Sequence, residues 1–207
     1  MINYYKKYCE AHDTALAKLE ITSLDGEEIS HDRGFDDLCN LSAELAEKAC
    51  QKYFVGNGAS SAFANHMALD WSKNGGVPSH AFASSPLLTA MGNDLGFDEV
   101  FSAPLGYYSK KCDLLVTISS SGNSVNILRS IEVAREKGMN VVTFSGLKPE
   151  NKSRKMGDLN FYVPAKTYGI VECAHQVLLH IWLDQYMGVS EWNRTECQNM
   201  DQDSLVL

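Results

Sequence analysis

The sequence has no C-x-x-C pair, no apolar run long enough to span a membrane, and no excess of basic residues. Each absence removes a class of function. Without paired motifs, the six cysteines (Cys9, Cys39, Cys50, Cys112, Cys173, Cys197) read as scattered, buried or idle thiols in a reducing compartment. The opening MINYYKKYCEAHD lacks the apolar core of a secretory signal, so a cytoplasmic protein with no membrane partner is expected. Lys and Arg number 18 against 26 Asp and Glu, a net charge of −8 that argues against nucleic-acid binding. An anionic small ligand stays open, because backbone N–H groups and hydroxyls at a helix N-terminus can hold one phosphate. Neither a solenoid-type repeat nor a low-complexity segment is present.

What is there suits one packed domain of 207 residues, 44% of them hydrophobic. Residues 1–50 read as helices. Ile2, Tyr5 and Cys9, then Leu16 and Leu19, keep a helical rhythm up to the turn-like TSLDGEEIS, and Leu38, Leu41, Leu45 and Ala49 mark a further helix. From 51 to 188 the short apolar runs YFV, HAFA, LLVTIS, NVVTFS and NFYVP alternate with helical segments. That grammar predicts a mainly parallel sheet flanked by helices, an α/β fold. The long helix YGIVECAHQVLLHIWLDQYM closes the core, and residues 189–207 form a polar, acidic tail on the surface or against a partner chain.

Two loops carry the chemistry. YFV runs into Gly56-Asn57-Gly58-Ala59-Ser60-Ser61, which matches G-x-G-x-x-S and lacks the third glycine of a dinucleotide loop. No acid stands about twenty residues on to hold a ribose, so the nicotinamide reading is set aside. The second loop, Ser119-Ser120-Ser121-Gly122-Asn123-Ser124, lies between a buried strand and an amphipathic helix. One serine there would be an ordinary cap; four around a glycine favour a phosphate.

GNGASSAFANH, MGNDLGF, ISSSGNS, REKGMNVVTFSG and ECAHQVLLH together resemble the sugar isomerase (SIS) domain, on its phosphoheptose isomerase branch, up to about residue 187. The resemblance implies a single three-layer SIS domain whose N-terminal helices form an oligomerisation bundle, and a homotetramer. It also implies aldose–ketose isomerisation of sedoheptulose 7-phosphate to D-glycero-D-manno-heptose 7-phosphate through an enediol. Carried over residue by residue, it puts the phosphate at Ser119, Ser120, Ser121 and Ser124, with Asn57, Gly58 and Ser60 beside the sugar and Asp94 near its hydroxyls. Asp70 and His180 take the acid–base roles. His66, Asp70, Glu172 and His180 make an N/O set for Zn2+, with Glu172 also at the substrate.

This chain departs from the family in several places. Asp70 stands where relatives use Glu, pulling the carboxylate back by about an ångström, and displacement of that order can cost about a hundredfold in rate. Glu172 replaces a Gln, Gly169 replaces an acid, and WSKNGGVPSH is short and has no arginine. These changes leave room for another ketose phosphate. Glu172 and His180, eight residues apart on one helix, lie about 12 Å apart along it, too far to grip one ion together. They would serve different parts of the site or neighbouring subunits. A catalytically silent adaptor of the replication-initiator-binding type is a second reading, disfavoured by the retained His180. A sugar-phosphate sensor would normally carry a helix-turn-helix domain, and the first fifty residues are too few and too acidic for one. The single E-x-x-H of Glu172 and His175 is half of a di-iron motif, so His175 is expected to pack or to support a neighbour.

Overall fold

The structure, a computed structural model, describes residues 3–190. Helix α1 (Tyr4–Ala17) leads into a hairpin of β1 (Glu20–Ser23) and β2 (Glu28–Ile29), then α2 (His31–Glu47). The core continues as β3 (Lys52–Gly56), α3 (Ala59–Lys73), β4 (Ser79–Ala81), α4 (Ser85–Asp94) and α5 (Ser102–Tyr108). It closes with β5 (Leu114–Ser119), α6 (Val125–Glu136), β6 (Asn140–Gly146), β7 (Leu159–Val163) and α7 (Tyr168–Met187).

The seven strands form one sheet in the order β2-β1-β7-β6-β5-β3-β4. Pairing is parallel from β7 through β4, while β1 joins β7 and β2 antiparallel. Strands β3 and β5 are buried along their whole length, so they read as continuous apolar runs. Successive residues still serve opposite faces. Phe54, Val116 and Phe144 pack under α2, α3 and α7, whereas Tyr53, Val55, Leu115 and Val141 pack under α5 and α6.

Strand order reverses between β3 and β5: the chain moves outward from β3 to β4, then returns to the other side of β3 with β5. In open α/β sheets that reversal opens a crevice beyond the strand ends. Gly56 ends β3 opposite Ile118 of β5, so both loops singled out in the sequence open into this crevice.

Two expectations are corrected. The first fifty residues are not all helical: EITS and EI form the hairpin that extends the sheet. Strands of four and two residues carry too little periodicity to announce themselves, and their partner β7 lies far along the chain. The cysteines are not all free thiols either. Cys50 and Cys112 form a disulfide with Cα atoms 5.8 Å apart. Sheet register is the reason: Lys52 pairs with Leu114, and each cysteine sits two residues before one of them. The expected tail lies mostly outside the described residues.

Candidate active site

The crevice is built by locking the two loops together. Asn57 Nδ2 donates to Asn126 Oδ1 at 2.9 Å, and Asn126 Nδ2 donates back to Asn57 Oδ1 at 3.0 Å. This reciprocal amide pair spans the β3 and β5 crossovers. Glycine is required on both sides of it. A Cβ on Gly56 would lie 2.7 Å from the Ser60 carbonyl, and one on Gly122 would lie 2.0 Å from Asn151 Oδ1. Gly122 also holds a positive φ of 60°. Asn151 braces the serine loop from behind, its Nδ2 donating to Ser145 Oγ and to the Lys148 carbonyl.

Asn57, Ser60, Ser119, Ser120, Ser121, Ser124, Tyr168 and Glu172 line one cavity of about 120 Å³. Seven of these were expected there; Tyr168 and Ile118, which also lines the cavity, were not. Ser124 occupies the N-cap of α6, yet its side chain makes no capping bond. Ser120 is buried and its Oγ has no hydrogen-bond partner. Serines recruited to cap the helix would have spent their hydroxyls on it. Ser119 Oγ and Ser121 Oγ accept from the Gly122 and Asn123 N–H groups, but the serine O–H donors remain uncommitted at the positive end of a helix, which suits a bound anion. Lysine and arginine are missing from the lining. Gly58 caps α3 with a φ of 56° and faces solvent rather than this cavity.

A second cluster lies farther along α3 and α7. His66 Nε2 is 3.2 Å from Asp70 Oδ2 and 3.3 Å from His180 Nε2. The ligand atoms of all three residues fall within 4.8 Å of one another. Two nitrogens on one tetrahedral zinc, each at roughly 2.0–2.1 Å, would stand about 3.3 Å apart. The donor set therefore fits a zinc-sized ion, and its carboxylate could equally take a proton. The i, i+4 spacing of His66 and Asp70 brings them together on α3, and α7 supplies His180 from across the groove.

Two predicted residues lie elsewhere in the chain. Glu172 does not join the cluster; it lines the serine cavity, two helical turns before His180, as the helix rise requires. Asp94 is exposed at the end of α4, where Asn93 Nδ2 donates to it at 2.8 Å, and the chain brings it to neither cavity nor cluster. A side chain at 169 would lean on Tyr8: a Cβ on Gly169 would meet the Tyr8 hydroxyl at 3.0 Å. Among the described residues the other grouping of possible ligands, Cys50, Cys112 and Asp113, is closed by the disulfide.

His175 packs as expected. Its Nε2 lies 3.1 Å from the Ser145 carbonyl, and its ring sits edge-on to Phe144. Full burial pushes its pKa down to about 4, so the ring is neutral and donates through Nε2–H. Asn126, Asn151 and Tyr168 are the site residues that sequence reasoning missed. Only Asn126, the last residue of the GNSVN segment, stood close to a recognised motif.

The SIS domain family profile matches residues 30–146. Among characterised proteins, the phosphoheptose isomerase of Rhodospirillum rubrum is 36% identical over 134 residues, covering 62% of this chain and 71% of that one. That of Campylobacter concisus is 34% identical over 176 residues, covering 77% and 92%. The solved phosphoheptose isomerase of Neisseria gonorrhoeae superposes with a TM-score of 0.76 at 26% identity, covering 90% of this chain and 96% of its own. With the two-loop crevice and the His–Asp–His cluster in place, these likenesses make the chain a member of the SIS domain family, on its phosphoheptose isomerase branch.

Proposed function

We propose that the chain is a phosphoheptose isomerase, an aldose–ketose isomerase that interconverts sedoheptulose 7-phosphate and D-glycero-D-manno-heptose 7-phosphate. The observation that carries this reading is the groove between α3 and α7. It joins an anion pocket, whose serine O–H donors are free, to a His–Asp–His cluster. Ser60 and Glu172 stand at the pocket end, and His66 and His180 at the other, roughly 10 Å along either helix. That is the reach of an extended phosphorylated heptose.

In this reading Ser119, Ser120, Ser121 and Ser124 donate to the phosphate, with the first N–H groups of α6 behind them. Asn57 and Ser60 hold the adjoining part of the sugar. Isomerisation moves one proton between adjacent carbons and one between their oxygens. Asp70 takes the proton from the carbon beside the carbonyl, which gives an enediol. His180, at hydrogen-bonding distance from His66, passes the proton between the two oxygens. His66, Asp70 and His180 would hold Zn2+, which when bound polarises the carbonyl as a Lewis acid. Asp70 pairs with His66 through Oδ2, which leaves its other carboxylate oxygen for the role of base.

A cavity of about 120 Å³ is small beside the roughly 300–1,000 Å³ of typical ligand sites. It encloses one end of the substrate, and a homotetramer in which neighbouring copies bring Asp94 to the rest completes the reading. Neither nucleic acid nor membrane is expected as a partner; the net charge of −8 argues against the first, and no described helix is long and apolar enough to cross a membrane. The cytoplasm is the expected location.

The test is an isomerase assay on sedoheptulose 7-phosphate beside other ketose phosphates, with wild type, His180→Ala and Asp70→Ala. Turnover lost in both variants supports the reading. Inactivity of zinc-supplied wild type across the panel defeats it and favours the silent adaptor.

A further inference from the structure

The proposed reaction assigns the side chains that touch the phosphate, but not what holds them in place. The serine loop lies against the chain that follows β6, residues 147–156. Ser153 N–H donates to the Gly122 carbonyl at 3.0 Å, and Lys152 N–H donates to Asn123 Oδ1 at 3.1 Å. Asn123 Nδ2 in turn donates to the Ser121 carbonyl at 3.1 Å. Beneath the turn lies the buried Asn151, whose amide fills the space that a side chain at 122 would need.

Asn151 is itself fixed from both ends. Nδ2 donates to the Lys148 carbonyl at 2.9 Å and to Ser145 Oγ at 3.2 Å, while Oδ1 accepts from Arg154 N–H at 3.1 Å and from Ser153 Oγ at 3.2 Å. The Ser145 carbonyl receives His175 of α7, so one amide ties the serine loop to both β6 and α7. The entry to this segment is strained. Leu147 holds a φ of 56°, a conformation that a non-glycine residue keeps where its surroundings impose it. A plain connection from β6 to β7 needs none of this. An anion pocket does, because its lining has no lysine or arginine and relies on O–H and N–H groups whose strength depends on their direction.

We propose that Asn151 is a positioning residue for the phosphate. By filling the space beneath Gly122 it holds the serine loop in the turn that aims the Ser119, Ser120 and Ser121 hydroxyls into the cavity. It acts through the loop and touches no substrate itself. The assignment rests on the anion-pocket half of the isomerase reading above.

The experiment measures the affinity for inorganic phosphate, and KM and kcat on sedoheptulose 7-phosphate, in wild type, Asn151→Ala, Gly122→Ala and the double variant. Zinc affinity and urea unfolding are followed alongside. Asn123→Ala, at an exposed position, opens the same contact from outside the core and takes over if Asn151→Ala does not fold. The expected result for Asn151→Ala is a phosphate affinity lowered about tenfold, the effect of one lost hydrogen bond to an ion. KM rises by a similar factor, kcat changes far less, and zinc affinity stays as in wild type. The double variant binds phosphate no more weakly than Gly122→Ala alone, because both changes act at one contact. Unchanged phosphate affinity in Asn151→Ala, or in Asn123→Ala where it stands in, would overturn the assignment. So would losses that add in the double variant, or a parallel loss of zinc binding, either of which would mark Asn151 as a general packing residue. Wild type that binds phosphate through Asn151 but does not turn over the sugar would defeat the isomerase reading and leave this assignment standing.

Discussion

Lys52 begins β3 with its side chain fully buried, an unusual place for an amine. Its Nζ donates to Ser42 Oγ at 2.8 Å and sits 2.7 Å from the centre of the Trp71 ring and 4.3 Å from that of Trp182. Two effects oppose each other here. Aromatic faces favour the ammonium, whereas desolvation favours the neutral amine. No carboxylate pairs with Nζ among the described ion pairs, and burial pushes the amine well below the ordinary lysine value. Desolvation wins, and burial disfavours the protonated amine in the folded chain.

The sign of the pH effect follows. The unfolded chain binds one more proton than the folded one between the depressed folded value and the ordinary value near 10.4, so wild-type stability rises with pH across that window. The slope is about 1.4 kcal/mol per pH unit. Lys52→Met keeps the stem and removes the titration. It loses one hydrogen bond, worth about 1 kcal/mol. Ser42 stays satisfied, donating to the Leu38 carbonyl and accepting from Trp182 Nε1. Urea unfolding of both proteins at steps of pH from about 7.5 to 10 isolates the effect, because the other groups titrate alike in both. The variant should be the more stable at neutral pH, with its advantage shrinking by about 1.4 kcal/mol per pH unit on going alkaline. A difference that stays flat with pH would refute the reasoning and make Lys52 a charged cation held by the two tryptophans.

Three further outcomes are expected. Ser120→Ala should leave the urea midpoint unchanged or slightly raised, since the hydroxyl has no partner, while raising KM for the sugar phosphate several-fold; marked destabilisation would show the hydroxyl to be structural. Asp70→Glu, although it restores the residue the relatives use, should lower kcat by about ten- to a hundredfold, because Asp70 Oδ2 already lies 3.2 Å from His66; a gain in kcat would count against a site shaped around Asp. His175 is held neutral with a pKa of about 4, so the unfolded chain binds the extra proton between about pH 6.5 and 4, and stability falls by roughly 3 kcal/mol as pH drops through that window. His175→Asn should flatten that fall in acid unfolding curves, and an unchanged curve would show that the ring is not the cause.

What the sequence made legible was whatever is local. The strand–loop–helix units around Gly56 and Ser119 could be read because strand, glycine, serines and helix start are contiguous. Helix arithmetic separated Glu172 from His180, and it brought His66 to Asp70. What stayed hidden depends on register across the sheet. The Asn57–Asn126 pair joins residues 69 apart in sequence, and the Cys50–Cys112 bond joins residues 62 apart. Neither can be seen before β3 is laid beside β5. Lys52 misleads for a related reason: a lysine at a strand start reads as solvent-facing until α2, α3 and α7 close over it. The β1–β2 hairpin is too short for its own pattern and gains its place from β7.

The central claim is enediol proton transfer on a phosphorylated ketose, and it is tested most directly in deuterated water. Zinc-supplied wild type is incubated with sedoheptulose 7-phosphate and followed by NMR. The account predicts the aldose heptose 7-phosphate, with deuterium entering at the carbon next to the carbonyl and no conversion by His180→Ala. Substrate that stays unconverted and unlabelled with wild type would contradict it.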